Sequence, residues 1–198
     1  MTHLNWKHLL FIVFIACIAY GAIHHFRQAP QQNFIPTIQS ADGHVQMHGY
    51  HIKPLEPFVL YARVLSTKHY SSDKEADLVP VDLALGWGKM ADPAIINQIN
   101  ITQSNRWYHW RVEAFPIPRR EIETNSANMH LIPASPAIAQ AIQSAKVGQM
   151  VEFSGDLVEV TEPNGNWRWK SSLTRNDTGA GSCELVLVKS FSVHASSN

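Results

Sequence analysis

The longest apolar stretch of the chain is residues 9–23, LLFIVFIACIAYGAI, and it contains no charged side chain. Beyond it the apolar positions fall into short segments. Residues 45–52, 58–65 and 78–85 are predicted strands, the second apolar enough to be central. Residues 105–112 form an aromatic-rich strand that Pro116 and Pro118 end. In residues 150–160, Val151, Phe153 and Leu157 alternate, then Val158 and Val160 change parity, which predicts a bulge at Gly155. Asn164-Gly165 turns this strand into a returning one over 166–173, with Trp167 and Trp169 on one side. The continuous run Leu185-Val186-Leu187-Val188, within the predicted strand 184–191, predicts burial on both faces.

Helical spacing occurs twice. Asp92-Pro93 opens a short helix that places Ile95, Ile96 and Ile99 on one face. Ser135-Pro136 opens the clearest one, with Ile138, Ala141, Ile142 and Ala145 at i, i+3, i+4 and i+7. Lys146 and Gly148 suit its C-terminal end. About six strands with one clear inserted helix and a second short one predict a mainly β (α+β) domain. The expected architecture is a small, mostly antiparallel barrel like the oligonucleotide/oligosaccharide-binding (OB) barrels. That likeness of fold carries no function by itself.

At 1.5 Å per residue the run 9–23 spans about 22 Å of helix, short of a hydrocarbon core of roughly 30 Å. Trp6 and Phe26 flank it and extend the span at the interfaces. The leading reading is a single-pass signal anchor over residues 1–27. A cleaved signal peptide ending at Ala19-Tyr20-Gly21, or a lipoprotein signal with Cys17 lipidated, are the alternatives. Each sends the rest of the chain across a membrane. Lys7 favours a cytoplasmic N-terminus, so the expected location is the bacterial inner membrane with the C-terminal domain in the periplasm. Residues 28–43, with Pro30 and Pro36, read as a linker, residues 44–192 as the domain, and residues 193–198 as a tail.

Lysine plus arginine and aspartate plus glutamate both number 16, so net charge gives no electrostatic reason for a nucleic-acid partner. Cys183 is the only cysteine outside the apolar segment, so the domain has no internal disulfide framework. No pattern calls for a cofactor.

Several motifs invite chemistry, each with a plainer reading beside it. Asp177-Thr178-Gly179-Ala180 spells the aspartic-protease motif, but that chemistry needs two aspartates, and Thr174-Arg175-Asn176 before it are polar. The plainer reading is a connecting loop. His44, His48 and His51 are candidate metal ligands or the polar face of a first strand. Ser126, Asn128 and His130 alternate, so an extended backbone points all three to one side. They suit a nucleophile, an oxyanion donor and a base, or a satisfied polar network beneath the helix that starts at Ser135. Cys183 with His130 is a candidate thiol pair, although Glu184 beside the thiol works against a thiolate. Trp107 and Trp110 differ in parity, so a regular strand turns one outward. With Arg106, Arg111 and Arg175 they are the candidate binding residues, against a plain core role for the tryptophans.

The residues from Asp82-Leu83-Ala84-Leu85-Gly86-Trp87-Gly88, through Ser104 to Tyr108 and Ser126 to Pro133, to Trp167-Arg168-Trp169, Ser171-Ser172-Leu173, Arg175, Asp177 to Gly181 and Cys183-Glu184 form a connected pattern. In this the chain, over residues 61–188, resembles a family of small membrane-anchored bacterial proteins without assigned function. The resemblance implies no activity, substrate or catalytic residue. The expected function is therefore a membrane-anchored extracytoplasmic binding or assembly module whose partner is a protein or an envelope component. The alternative is a periplasmic hydrolase using His130 with Ser126 or Cys183.

Overall fold

The computed structural model describes residues 38–39, 43–174 and 183–194, and these are mainly β. The strands are β1 (Ile38–Gln39), β2 (Val45–Met47), β3 (Tyr50–His69), β4 (Val81–Gly86), β5 (Asn100–Ser104), β6 (Trp107–Arg111), β7 (Ser126–Pro133), β8 (Met150–Thr161), β9 (Arg168–Lys170) and β10 (Glu184–His194). The helices are α1 (Pro93–Ile96), α2 (Arg119–Thr124) and α3 (Pro136–Ser144). The expected anchor, most of the linker and residues 195–198 lie outside the described residues. Among the described residues no helix is long and apolar enough to cross a membrane.

β3 pairs with β4 on one side and β8 on the other; β4 pairs with β7, β7 with β10, and β10 with β8. Five strands are thus linked in an unbroken cycle of neighbours. Among the described residues only β7–β10 is parallel. β1 and β2 add to β3, β9 adds to β8, and β5–β6 is a separate hairpin.

The strands predicted over 45–52 and 58–65 are differently divided. His48 and Gly49 make a tight turn with φ of 50° and 83°. From Tyr50 the chain then runs as one strand of 20 residues straight through Pro54 and Pro57. Pro57, facing Asp156, lies on a stretch of β3 that pairs with β8 alone, and at Pro54 the register slips, Pro54 facing Val158 and Glu56 facing Leu157. A bulge already interrupts the ladder where a proline offers no donor.

The parity change in β8 needs no bulge at Gly155: Val151, Phe153 and Leu157 face one core cluster, and Val158 and Val160 face a second on the other side of the strand. The register slips lie in its partners, at Leu55 of β3 and Lys189 of β10. Gly155 serves close approach instead: a Cβ on it would stand 2.0 Å from the Leu187 carbonyl oxygen.

These strands bury both faces. Val186 and Val188 join Leu83, Leu85, Met129, Leu131 and Phe153 in one cluster. Leu185 and Leu187 turn the other way, to Ile52, Leu78, Val158 and Val160. This accounts for the uninterrupted apolar run of β10. A third cluster, including Leu65, Ala84, Met90 and Ile122, lies beneath α1, α2 and the β5–β6 hairpin.

Asp92 Oδ1 caps α1 by accepting from Ala94 N at 2.8 Å, and Ser135 Oγ caps α3 by accepting from Ile138 N at 3.3 Å. α3 ends at Ser144, before Lys146 and Gly148. Gly148, at φ 89°, donates its N–H to Val64 O (2.8 Å) in the turn that follows. Several elements were not expected, β1 within the predicted linker 28–43 among them. α2 begins directly after Pro118, which opens a helix where it was read as ending a strand. β5 precedes a turn at Asn105-Arg106, residues that the pattern placed within a strand.

Candidate functional site

Ser126, Asn128 and His130 do point to one side of β7, and all three are buried. Their neighbours on β4 are Gly86, Ala84 and Asp82 respectively. Asp82 is wholly buried and sits beside His130, whose Nδ1 is 2.9 Å from Asp82 Oδ1. Asn128 Nδ2 donates to Asp82 Oδ2 at 3.3 Å. This polar row contacts the β5–β6 hairpin, where contact with the Ser135 helix was expected.

The hairpin tip explains the contact. Asn105 and Arg106 have φ of 51° and 66°, the signature of a two-residue type I′ turn. Asn adopts this region readily and Arg seldom does. Here the turn aims Arg106 inward. Its Nη1 donates to Asp82 Oδ1 (2.9 Å) and to Val79 O (2.8 Å). Its Nε and Nη2 clasp Asp73 at 2.9 and 2.6 Å, and its guanidinium lies 3.7 Å from the centre of the Tyr70 ring. Backbone groups complete the clasp: Arg106 N–H donates to Tyr70 Oη (3.0 Å), and Arg106 O accepts from Asn128 Nδ2 (3.0 Å). Gln103 Nε2 donates to Asn128 Oδ1 at 2.6 Å.

The electrostatics follow from this geometry. Burial pulls the Arg106 pKa down, but Asp73 and Asp82 outweigh it and hold the guanidinium above its usual value. The hydrogen bond from Arg106 holds the Asp73 carboxyl below the usual carboxylate range. Burial pushes the Tyr70 hydroxyl up. A guanidinium shared by two carboxylates is a strong, directional fastening, and removing it would leave the wholly buried Asp82 without its cation.

Ser126 is used elsewhere. Its Oγ donates to Ile122 O at 2.6 Å and lies 3.1 Å from Tyr108 Oη. Burial pushes the Tyr108 hydroxyl up to about 12, against the lowering effect of that hydrogen bond. Ser126 therefore ties β7 to α2 and β6, and among the described residues no hydrogen bond joins it to His130. The His130 ring packs 4.7 Å from that of Trp169. Cys183 is half-buried and precedes Glu184, which pairs with Met129, so the start of β10 runs beside the His130 row. Asp177 and Arg175 lie outside the described residues.

Of the candidate binding residues, Arg106 is turned into the interior, its side chain 13% exposed. Trp107 is the outward tryptophan, at 38% exposed. Trp110 faces inward and packs at the edge of the third cluster. Trp110 and Arg111 line a groove of about 570 Å³ that follows residues 108–113 and is bounded across by Phe115, Arg119 and Glu123. The Phe115 ring meets Trp110 edge-on at 6.2 Å, and the Arg119 guanidinium lies 5.8 Å over the indole.

The candidate metal ligands are not brought together. His48 occupies the β2–β3 turn, and His51 lies in β3 with Nδ1 3.5 Å from Gln46 Nε2. Among the described residues no group of three or more His, Cys, Asp or Glu could hold a metal.

Tyr70, Asp73, Asp82 and Gln103 entered the site without having been singled out. Asp82 did carry a signal: it is the single charge within an otherwise apolar strand, and a buried charge requires a partner. Compared with known proteins, the chain matches no protein-family model and none of the curated proteins.

Proposed function

We propose that the chain is a bacterial inner-membrane protein anchored by residues 9–23, whose periplasmic domain is a binding or assembly module. The reading of the domain as an OB-like barrel draws support from the strand cycle. Its five members run in the order β3-β4-β7-β10-β8, with one parallel pair, and α3 lies between the third and fourth of them in the chain. In OB barrels ligands use the outer face of the second and third strands. Here those strands are β4 and β7; the β5–β6 hairpin covers their outer face at Asp82, Ser126 and Asn128, and Trp169 lies against His130. Binding is thereby moved onto the hairpin.

The observation that carries this reading is how the hairpin is held. Arg106 pins its tip internally, while Trp107, His109 and Arg111 stay exposed on its far side. An exposed tryptophan on a rigidly fixed hairpin is a surface prepared for a partner. The partner is a protein or an envelope component. The test is a pull-down of the full chain from detergent-solubilised membranes, comparing wild type with a Trp107→Ser/Arg111→Glu double variant. A component recovered by wild type and lost with the variant is expected. Equal recovery by both, or none by either, would overturn the reading.

One observation favours the hydrolase as a second reading. Asp82 holds the His130 ring through Nδ1, as a carboxylate orients a general base. His130 would then act on Cys183. Iodoacetamide labelling of Cys183 across pH tests the thiol pair. A labelling rate that His130→Gln leaves unaltered would remove it.

A further inference from the structure

Resting on the binding-module reading, the backbone of the hairpin narrows the partner to one kind of chain. A two-residue type I′ turn makes Ser104 and Trp107 the closing pair that exchanges hydrogen bonds. Alternation gives the same role to Thr102 with His109 and Asn100 with Arg111. Tyr108 and Trp110 are the intervening residues, so their N–H and C=O groups face away from β5. Among the described residues these groups meet no other strand: β6 pairs with β5 alone.

The groove of about 570 Å³ follows this same side of the hairpin, with a strand edge as one wall and α2 as the other. We infer that the free edge of β6 takes up an extended segment of a partner protein as a third strand, lying between β6 and α2. This is the β-addition mode of peptide recognition, in which main-chain hydrogen bonds supply affinity and alternate side chains supply specificity.

A ligand that stacks a flat ring fits the groove less well. The Arg119 guanidinium already lies over the Trp110 indole, and the Phe115 ring closes its edge. What the groove still offers is backbone.

The side chains set the alternation of the incoming segment. Those turned inward meet Trp110 and Phe115, so they are apolar. Those turned outward lie beside Trp107, His109 and Arg111. Arg119 is paired with Glu123 (2.7 Å), whereas Arg111 has no ion pair among the described residues, so an acidic residue belongs in that outward row. Glu113, beyond the end of β6, disfavours a second acid further along.

The test selects a phage-displayed library of random ten-residue peptides on the full chain in detergent micelles, then measures the enriched peptides on two variants. Trp110→Ala removes the ring and keeps the N–H; Trp110→Pro removes both. A proline is tolerated on a free edge, and a thermal melt checks that the variant folds. The expected peptides alternate apolar and acidic residues. Their binding falls a further three- to tenfold from Ala to Pro, about the worth of one hydrogen bond. In the wild-type protein, saturation with peptide slows amide exchange at Tyr108 and Trp110, a readout that does not depend on the variants. Enrichment of no peptide, equal binding to the two variants, or unchanged exchange at these amides would overturn the inference. The pull-down with the Trp107→Ser/Arg111→Glu variant would still judge the broader reading on its own.

Discussion

His130 Nδ1 stands 2.9 Å from Asp82 Oδ1 across the β4–β7 pairing, and Arg106 Nη1 reaches the same oxygen from the hairpin above at the same distance. One buried carboxylate oxygen therefore joins two strands to the tip of a third element. Asp82→Ala is expected to cost about 3–5 kcal/mol, because it leaves a buried guanidinium and a buried imidazole without their shared acceptor. Urea denaturation monitored by tryptophan fluorescence measures this. A loss below about 1 kcal/mol would mean that water replaces the carboxylate.

Arg106→Lys is expected to keep the positive charge and lose the clasp. An ammonium cannot donate to Asp73 and Asp82 in the fixed fork of a guanidinium, nor stack as a plane on Tyr70. About 2–3 kcal/mol of stability should be lost, more than the 0–1 kcal/mol of an exposed ion pair. Recovery of wild-type stability by lysine would show that charge alone suffices.

Acid should loosen the hairpin tip. The Asp73 carboxyl is held below its usual range chiefly by the hydrogen bond from Arg106. Its contribution is thus complete above an unfolded-state pKa of about 3.9 and disappears as pH falls through the lower folded value. Asp73 is one-third exposed, so solvent screening keeps the effect modest. Stability measured between pH 6 and pH 2.5 should decline more steeply in wild type than in Asp73→Asn. Parallel curves would contradict this.

Alkali acts at Tyr108. Burial raises its hydroxyl to about 12, so its contribution is full below the ordinary value near 10 and is lost as pH rises through 12. Absorbance of tyrosinate at 295 nm should show a late-titrating component that Tyr108→Phe removes. If that component survives in the variant, it belongs to another tyrosine.

Gly155→Ala should be among the most damaging single-methyl additions in the domain. The new Cβ would fall 2.0 Å from Leu187 O, so β8 or β10 must move. A loss of about 1–3 kcal/mol is expected from the displaced pairing. Gly165→Ala has open space around its Cβ but a φ of 70°, so it should cost about 1–2 kcal/mol through backbone strain alone. Melting curves of the two variants separate the causes.

Much of the frame was legible from local pattern. Asp92 and Ser135 marked the starts of α1 and α3, the parity of Ser126, Asn128 and His130 put them on one side, and the run 185–188 announced a strand covered twice. The hairpin was not legible, because Asn105-Arg106 lacks the glycine that usually marks a type I′ turn. α2 was masked by Pro118, which reads equally as an end and as a beginning. Most of all, Arg106 looked like a surface charge. Its partner Asp73 lies 33 residues away and Asp82 24, and nothing in local spacing reveals a contact made only when a loop, a strand and a hairpin tip converge.

The position of β10 has a kinetic consequence. It enters between β7 and β8, parallel to one and antiparallel to the other. Until it docks, both of those strands keep a bare edge and their apolar side chains lack half their neighbours. Pairings between residues this far apart in the chain form slowly, since the intervening loop must be closed before any contact rewards it. A folding chain therefore waits in a state with two sticky edges, and substitutions at Val186 or Leu187 should show themselves first as aggregation during refolding rather than as a lower melting point.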